Sequence, residues 1–172
     1  MPLTPGPLAL ALLAAALVAA PPSRAAAPDS PEGVLGRYLS ALKAEQFEDA
    51  WALISRAMRR GRDKEVYVKE SKAFMAFADV KIFDFTVGQG KVEQDTARVP
   101  NVLESQDRFA NTLGLTEYEL YTLVREDGGW KVDSQLLLEP HEIPTWFPAA
   151  AARPGTAPAA ASPPAPSPPP SD

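Results

Sequence analysis

Few residues in this 172-residue chain could do chemistry. Cysteine is absent and histidine occurs once, as His141. Thiol catalysis, disulfides, zinc ribbons and sites needing several imidazoles are therefore excluded. The sequence holds no phosphate-binding glycine loop, dinucleotide fingerprint, nucleophile elbow or metal-spaced cluster, so neither cofactor nor metal is expected. Carboxylates and phenols remain. Asp84 stands in Ile82-Phe83-Asp84-Phe85, and Asp133 follows Trp130. A carboxylate among apolar neighbours can be tuned by desolvation towards general-base work. Tyr38, Tyr67, Tyr118 and Tyr121 offer phenolic donors. His141, beside Glu142 and after Pro140, reads as a surface residue.

The elements that must position these groups follow from hydrophobic period. Val34, Leu35, Tyr38, Leu39 and Leu42 fall on one helical face, with Ser30 or Asp29 as cap and Pro31 in the first turn. Phe47, Trp51, Ile54 and Met58 predict a second helix ending near Gly61, which folds back on the first. A third is expected over about 63–78, with Val66, Ala73 and Phe77 beside Tyr67 and Phe74.

From residue 80 the pattern turns strand-like. Residues 80–87 end at Gly88-Gln89-Gly90, read as a hairpin turn, and 91–103 continue as one strand in which Pro100 implies a bulge or an edge. A polar connection over 104–115 leads to 117–126 and 130–138, which flank the hairpin signal Asp127-Gly128-Gly129. The expected fold is α+β, with N-terminal helices packed on a curved, mainly antiparallel four-stranded sheet. Strict alternation would set Asp84 on the face opposite Phe83, Phe85 and Val87, together with Val80 and Ile82. Asp133 would likewise point away from Val132.

The ends differ from this segment. Of 19 prolines, seven lie in 1–31 and ten in 144–172. Residues 8–20 form an apolar run too short to span a membrane, which takes about 20 residues, but suited to a signal-peptide core. Cleavage is expected at Ala25/Ala26, so 1–25 read as a signal peptide, 26–31 as a linker, 32–143 as the domain and 144–172 as a disordered Pro/Ala/Ser-rich tail. Export to the periplasm or beyond the cell is the resulting expectation, with no membrane span left after cleavage. A net charge of −5 argues against nonspecific nucleic-acid binding. The one basic run, Arg56, Arg59, Arg60, Arg62 and Lys64, suits the negative end of a helix, with docking of an acidic partner or lipid headgroup as the alternative.

Three segments carry a resemblance. YLSALKAEQFEDAWALIS (38–55) resembles the opening helix pair of the nuclear transport factor 2-like, or cystatin-like, superfamily. DTARVP (95–100) resembles one of its middle strands, and YELYTLVREDGGWKVD (118–133) the last hairpin of its secreted bacterial members. The resemblance implies a cone in which helices and a bent sheet enclose an apolar pocket. Its ketosteroid isomerase-like enzymes place a carboxylate base and polar donors inside that cone, which makes Asp84 and Asp133 the candidate bases here. Tyr38, Trp51, Tyr67 and Tyr118 are the candidate ligand-binding residues. The expected function is an exported noncatalytic domain that binds a small apolar ligand or a protein partner. The alternatives are a small isomerase or dehydratase, and a dimerising module that uses the uncovered sheet face.

Overall fold

The computed structural model describes Ala27 and residues 29–148. The apolar run at 8–20, the expected cleavage point and the tail from 149 lie outside the described residues. Helix α1 (Pro31–Lys43) is capped by Ser30, whose Oγ accepts from the Gly33 amide at 3.1 Å, and opens with Pro31 and Glu32. Its buried face, led by Val34, Leu35, Tyr38 and Leu39, is the helical side of the core.

After a tight turn through Glu45 (φ 54°), α2 (Phe47–Leu53) packs on α1. The continuous helix expected to run on to Gly61 is broken at Ile54, which is extended (φ −97°, ψ 151°) and makes a parallel bridge to Val132. The physical reason lies in Ser55. Its amide donates to the Val132 carbonyl at 2.8 Å, and its Oγ accepts from the Met58 amide at 3.0 Å, capping the short helix α3 (Arg56–Arg59). Helix α4 (Lys64–Ala78) starts from the Asp63 cap and packs on α2. Its expected apolar face is mostly uncovered: Val66, Phe74 and Phe77 are exposed, and only Tyr67 and Ala78 are buried.

The sheet has five strands where four were expected: β1 (Lys81–Val87), β2 (Lys91–Glu93), β3 (Thr96–Gln106), β4 (Thr116–Glu126) and β5 (Gly129–Leu137). The additional hairpin turns at Gln94-Asp95, with Gln94 at φ 55°. Gly88-Gln89-Gly90 is not a hairpin, because β1 and β2 both pair antiparallel with β3 and lie in line along its edge. Pro100 is buried in β3 opposite that interruption, where its carbonyl accepts from the Gly88 amide at 2.8 Å. The order is β1-β3-β4-β5, with the sheet open at both edges. Asp127 and Gly128, both at positive φ, close the β4–β5 hairpin as the sequence predicts. On the concave face Ala97, Val99, Tyr121, Leu123 and Val132 meet α1. Across the other face lies the one-turn helix α5 (Ile143–Trp146), with the Phe147 ring 5.1 Å from that of Tyr118.

The 107–115 connection is held from within. Asp107 accepts from three backbone amides, and Asn111 bonds the backbone of Ser105 and Leu115. It leans on the end of α4, where the Arg108 amide donates to the Ala78 carbonyl and Phe109 meets Phe77 at 5.3 Å.

Candidate functional site

Neither candidate base occupies the setting a base needs, and each adjoins or forms a register slip. Between Ile82 and Asp84 the pairing of β1 with β3 slips by one residue, so Phe83 is extra. Ile82 then shares the concave face with Phe85 and Val87 rather than with Asp84, which stands across from Glu104. The Asp84 side chain is largely exposed, 3.6 Å from the Lys43 ammonium. Asp133 is the extra residue of a second slip, between Val132 and Ser134 on β5. That bulge turns it to Ser55, whose hydroxyl donates to Asp133 Oδ1 at 2.6 Å. Its carboxylate fastens α3 to the edge strand.

The buried carboxylate is Glu119, which no motif singled out. Its side chain is fully shielded on the concave face of β4. Asn101 Nδ2 donates to Glu119 Oε2 at 2.7 Å from β3, and Gln135 Nε2 to Oε1 at 2.5 Å from β5. The Tyr121 hydroxyl is in reach to donate as well. Burial pushes the Glu119 pKa up, opposed by the bonds from Asn101 and Gln135. Burial also raises the Tyr121 and Tyr38 phenols well above their ordinary value. Tyr38 meets Tyr121 edge-on at 6.4 Å and is in reach to donate to Tyr67, which Ser71 also bonds. A polar line thus runs from α4 through α1 to three strands.

Of the ligand-binding candidates, Tyr38 and Tyr67 lie on this line. Trp51 stacks beside Tyr67 at 5.4 Å with the Arg59 guanidinium over its ring. Tyr118 is on the opposite face of the sheet, against Phe147. Period-two alternation through EYELYTLV could have found Glu119: with Tyr121 and Leu123 inward, Glu117 and Glu119 follow. Asn101 follows likewise from Ala97 and Val99.

No family model matches the chain, and neither does any curated protein. Solved structures do. A SEC-C motif-containing protein from Rhodopseudomonas palustris superposes with a TM-score of 0.52 at 14% identity, over 67% of this chain and 84% of that one. An NTF2-like protein from Cytophaga hutchinsonii gives 0.45 at 18%, over 60% and 90%. A protein with a cystatin-like fold from Nostoc punctiforme gives 0.43 at 13%, over 60% and 84%.

The fold is α+β and is shared with the Rhodopseudomonas palustris protein. At such identities the likeness is one of fold, and activity must be argued from the site. Residues 67, 71, 74 and 78 repeat at helical spacing along one side of α4, yet Phe74 is 63% exposed. Leu137, directly across from Glu119, is 56% exposed.

Proposed function

We propose that the protein is an exported, noncatalytic NTF2-like domain that takes a small, mainly apolar molecule on its concave face, where a donor group of that molecule meets Asn101. The observation that carries this reading is Asn101 Oδ1, which is buried and has no partner among the described residues. A buried acceptor left unpaired costs about 1–3 kcal/mol, which a ligand hydroxyl or amide would offset. Phe74 on α4 and Leu137 on β5 are exposed apolar side chains. Both Glu119 oxygens already accept from side-chain amides, which suits a fixed polar floor better than a mobile base. Export rests on the apolar run at 8–20.

The test is a thermal-shift screen of the full chain against sterols, fatty alcohols and phenols, each paired with the hydrocarbon lacking its donor. A ligand at a hundred times its Kd adds about 2.7 kcal/mol, a rise of several degrees in the midpoint. The donor-bearing member of a pair should give the larger shift, and Asn101→Leu should abolish the difference. No shift across the panel, or equal shifts within pairs, would sink the reading.

One observation favours a second reading, a small isomerase or dehydratase. Glu119 is a desolvated carboxyl beside a tyrosine hydroxyl, an acid–base pair suited to proton transfer at carbon. Glu119→Gln separates the two readings. The noncatalytic domain keeps its ligand-induced shift, whereas an enzyme loses turnover of that ligand.

A further inference from the structure

A cleft lies between α3 and the edge of β5. It encloses about 380 Å³ and is lined by Met58, Arg60, Arg62, Asp133, Ser134 and Gln135. The bonds that staple Ser55 to Val132 and Asp133 fix the two walls relative to each other. Its charges differ in how they are committed. Arg62 is spent: Nη1 lies 3.1 Å from Glu70, and Nε and Nη2 donate to the carbonyls of Arg59 and Met58. Arg60 has no ion pair or hydrogen bond from its guanidinium among the described residues, and its backbone is set left-handed (φ 52°, ψ 40°) at the end of α3.

The facing wall accepts. Asp133 gives Oδ1 to Ser55, which leaves Oδ2. Gln135 has its amide nitrogen on Glu119, which leaves its carbonyl oxygen. The exposed Ser134 hydroxyl lies between them in sequence. One free cation therefore stands in the same cleft as a carboxylate and further acceptors, and half-buried Met58 offers an apolar surface. The charges of Arg60 and Asp133 cancel, which fits a molecule carrying one charge of each sign rather than a dicarboxylate or a polyamine. The volume is at the small end for metabolite sites, which run from about 300 Å³ upward.

We propose that this cleft binds a free α-amino acid, its carboxylate on Arg60, its ammonium on Asp133 Oδ2 and the Gln135 carbonyl, and its side chain against Met58. The bidentate geometry of a guanidinium suits a carboxylate. The site is independent of the concave-face reading, since its ligands are zwitterions absent from that screen.

The experiment is isothermal titration of the full chain with each standard L-amino acid, then with the amide and N-acetyl forms of any that bind. At least one amino acid is expected to bind, with both blocked forms at least tenfold weaker. Arg60→Asn keeps a residue that tolerates the left-handed region, and Asp133→Asn keeps an acceptor for Ser55; each should weaken binding at least tenfold. Arg60→Lys, which keeps the charge, should restore part of the affinity, so a folding defect would be separable from a lost contact. Binding of no amino acid to the wild-type chain would overturn the proposal. So would an N-acetyl form binding as tightly as its parent, or displacement by equimolar inorganic phosphate, since either would mark a plain anion site.

Discussion

Burial holds the Glu119 carboxyl above its ordinary pKa, and the consequence for stability follows from that direction. Below the unfolded value, about 4.3, the group is protonated in both states and its contribution is fully present. As pH rises through the folded value the native state must ionise a shielded group, and that contribution is lost. Glu119→Gln removes the titration while keeping the size and shape of the side chain. The variant should therefore gain on the wild type as pH climbs from 4 to 8, measured as the difference in urea midpoints at each pH. Asp107 acts in the opposite sense: backbone bonds, that from Ala110 foremost, lower its pKa, so its contribution fades as pH falls. Only the difference between variant and wild type isolates Glu119, and a flat difference would refute the assignment. The residue was legible, because simple alternation in β4 places it inward beside Tyr121. Asp84 lies opposite Phe85 and Val87 as alternation predicts, whereas Ile82 and Asp133 depart from it because each adjoins or forms a bulge, and a single inserted residue exchanges the faces that period-two counting assigns.

Elements with strong local signals came out as expected: α1 with its Ser30 cap, α4 after Asp63, and the Asp127-Gly128 hairpin. The break at Ile54 was hidden because Phe47, Trp51, Ile54 and Met58 keep helical spacing through it. What ends α2 is tertiary, the open edge of β5 offering the Val132 carbonyl. Ser55→Ala tests that account. The substitution removes both the α3 cap and the tie to Asp133 and should cost about 1–2 kcal/mol in a denaturation experiment. A loss below a few tenths would mean the staple contributes little. The in-line edge formed by β1 and β2 rests on close approach at Gly88. A Cβ there would lie 2.9 Å from Pro100 Cγ, in a ring that its strand holds in place. Gly88→Ala should destabilise by about 1–3 kcal/mol. In contrast, a Cβ at Gly36 within α1 meets nothing within 4 Å, and Gly36→Ala should stabilise by about 0.5–1 kcal/mol. Opposite signs for these two glycines, read from thermal midpoints, would confirm that contact rather than composition decides.

At the scale of the whole molecule the open question is what covers the convex face of the sheet. The sequence pointed to that face as a dimer surface on the strength of Val80 and Ile82, but the slip at Phe83 takes Ile82 to the other side. The chain supplies a partial cover of its own. Leu138 and Ile143 are buried, Phe147 sits on Tyr118, and the Lys91 ammonium lies 4.4 Å from the Trp146 ring. Burial of Ile143 alone is worth about 1.5–3 kcal/mol. Once uncovered, this face would present contiguous apolar surface that a second copy could cover. A chain ending at Leu138 should therefore melt below one ending at Pro148 and should self-associate with rising concentration, as read by light scattering on a sizing column. The Pro148 chain keeps the cover and serves as the matched control. If both chains remained monomers of equal midpoint, α5 would be an ornament on a face that needs no cover. If the Pro148 chain were already a dimer, the subunit contact would have to lie beyond α5, along the uncovered part of the sheet or at the exposed phenylalanines of α4.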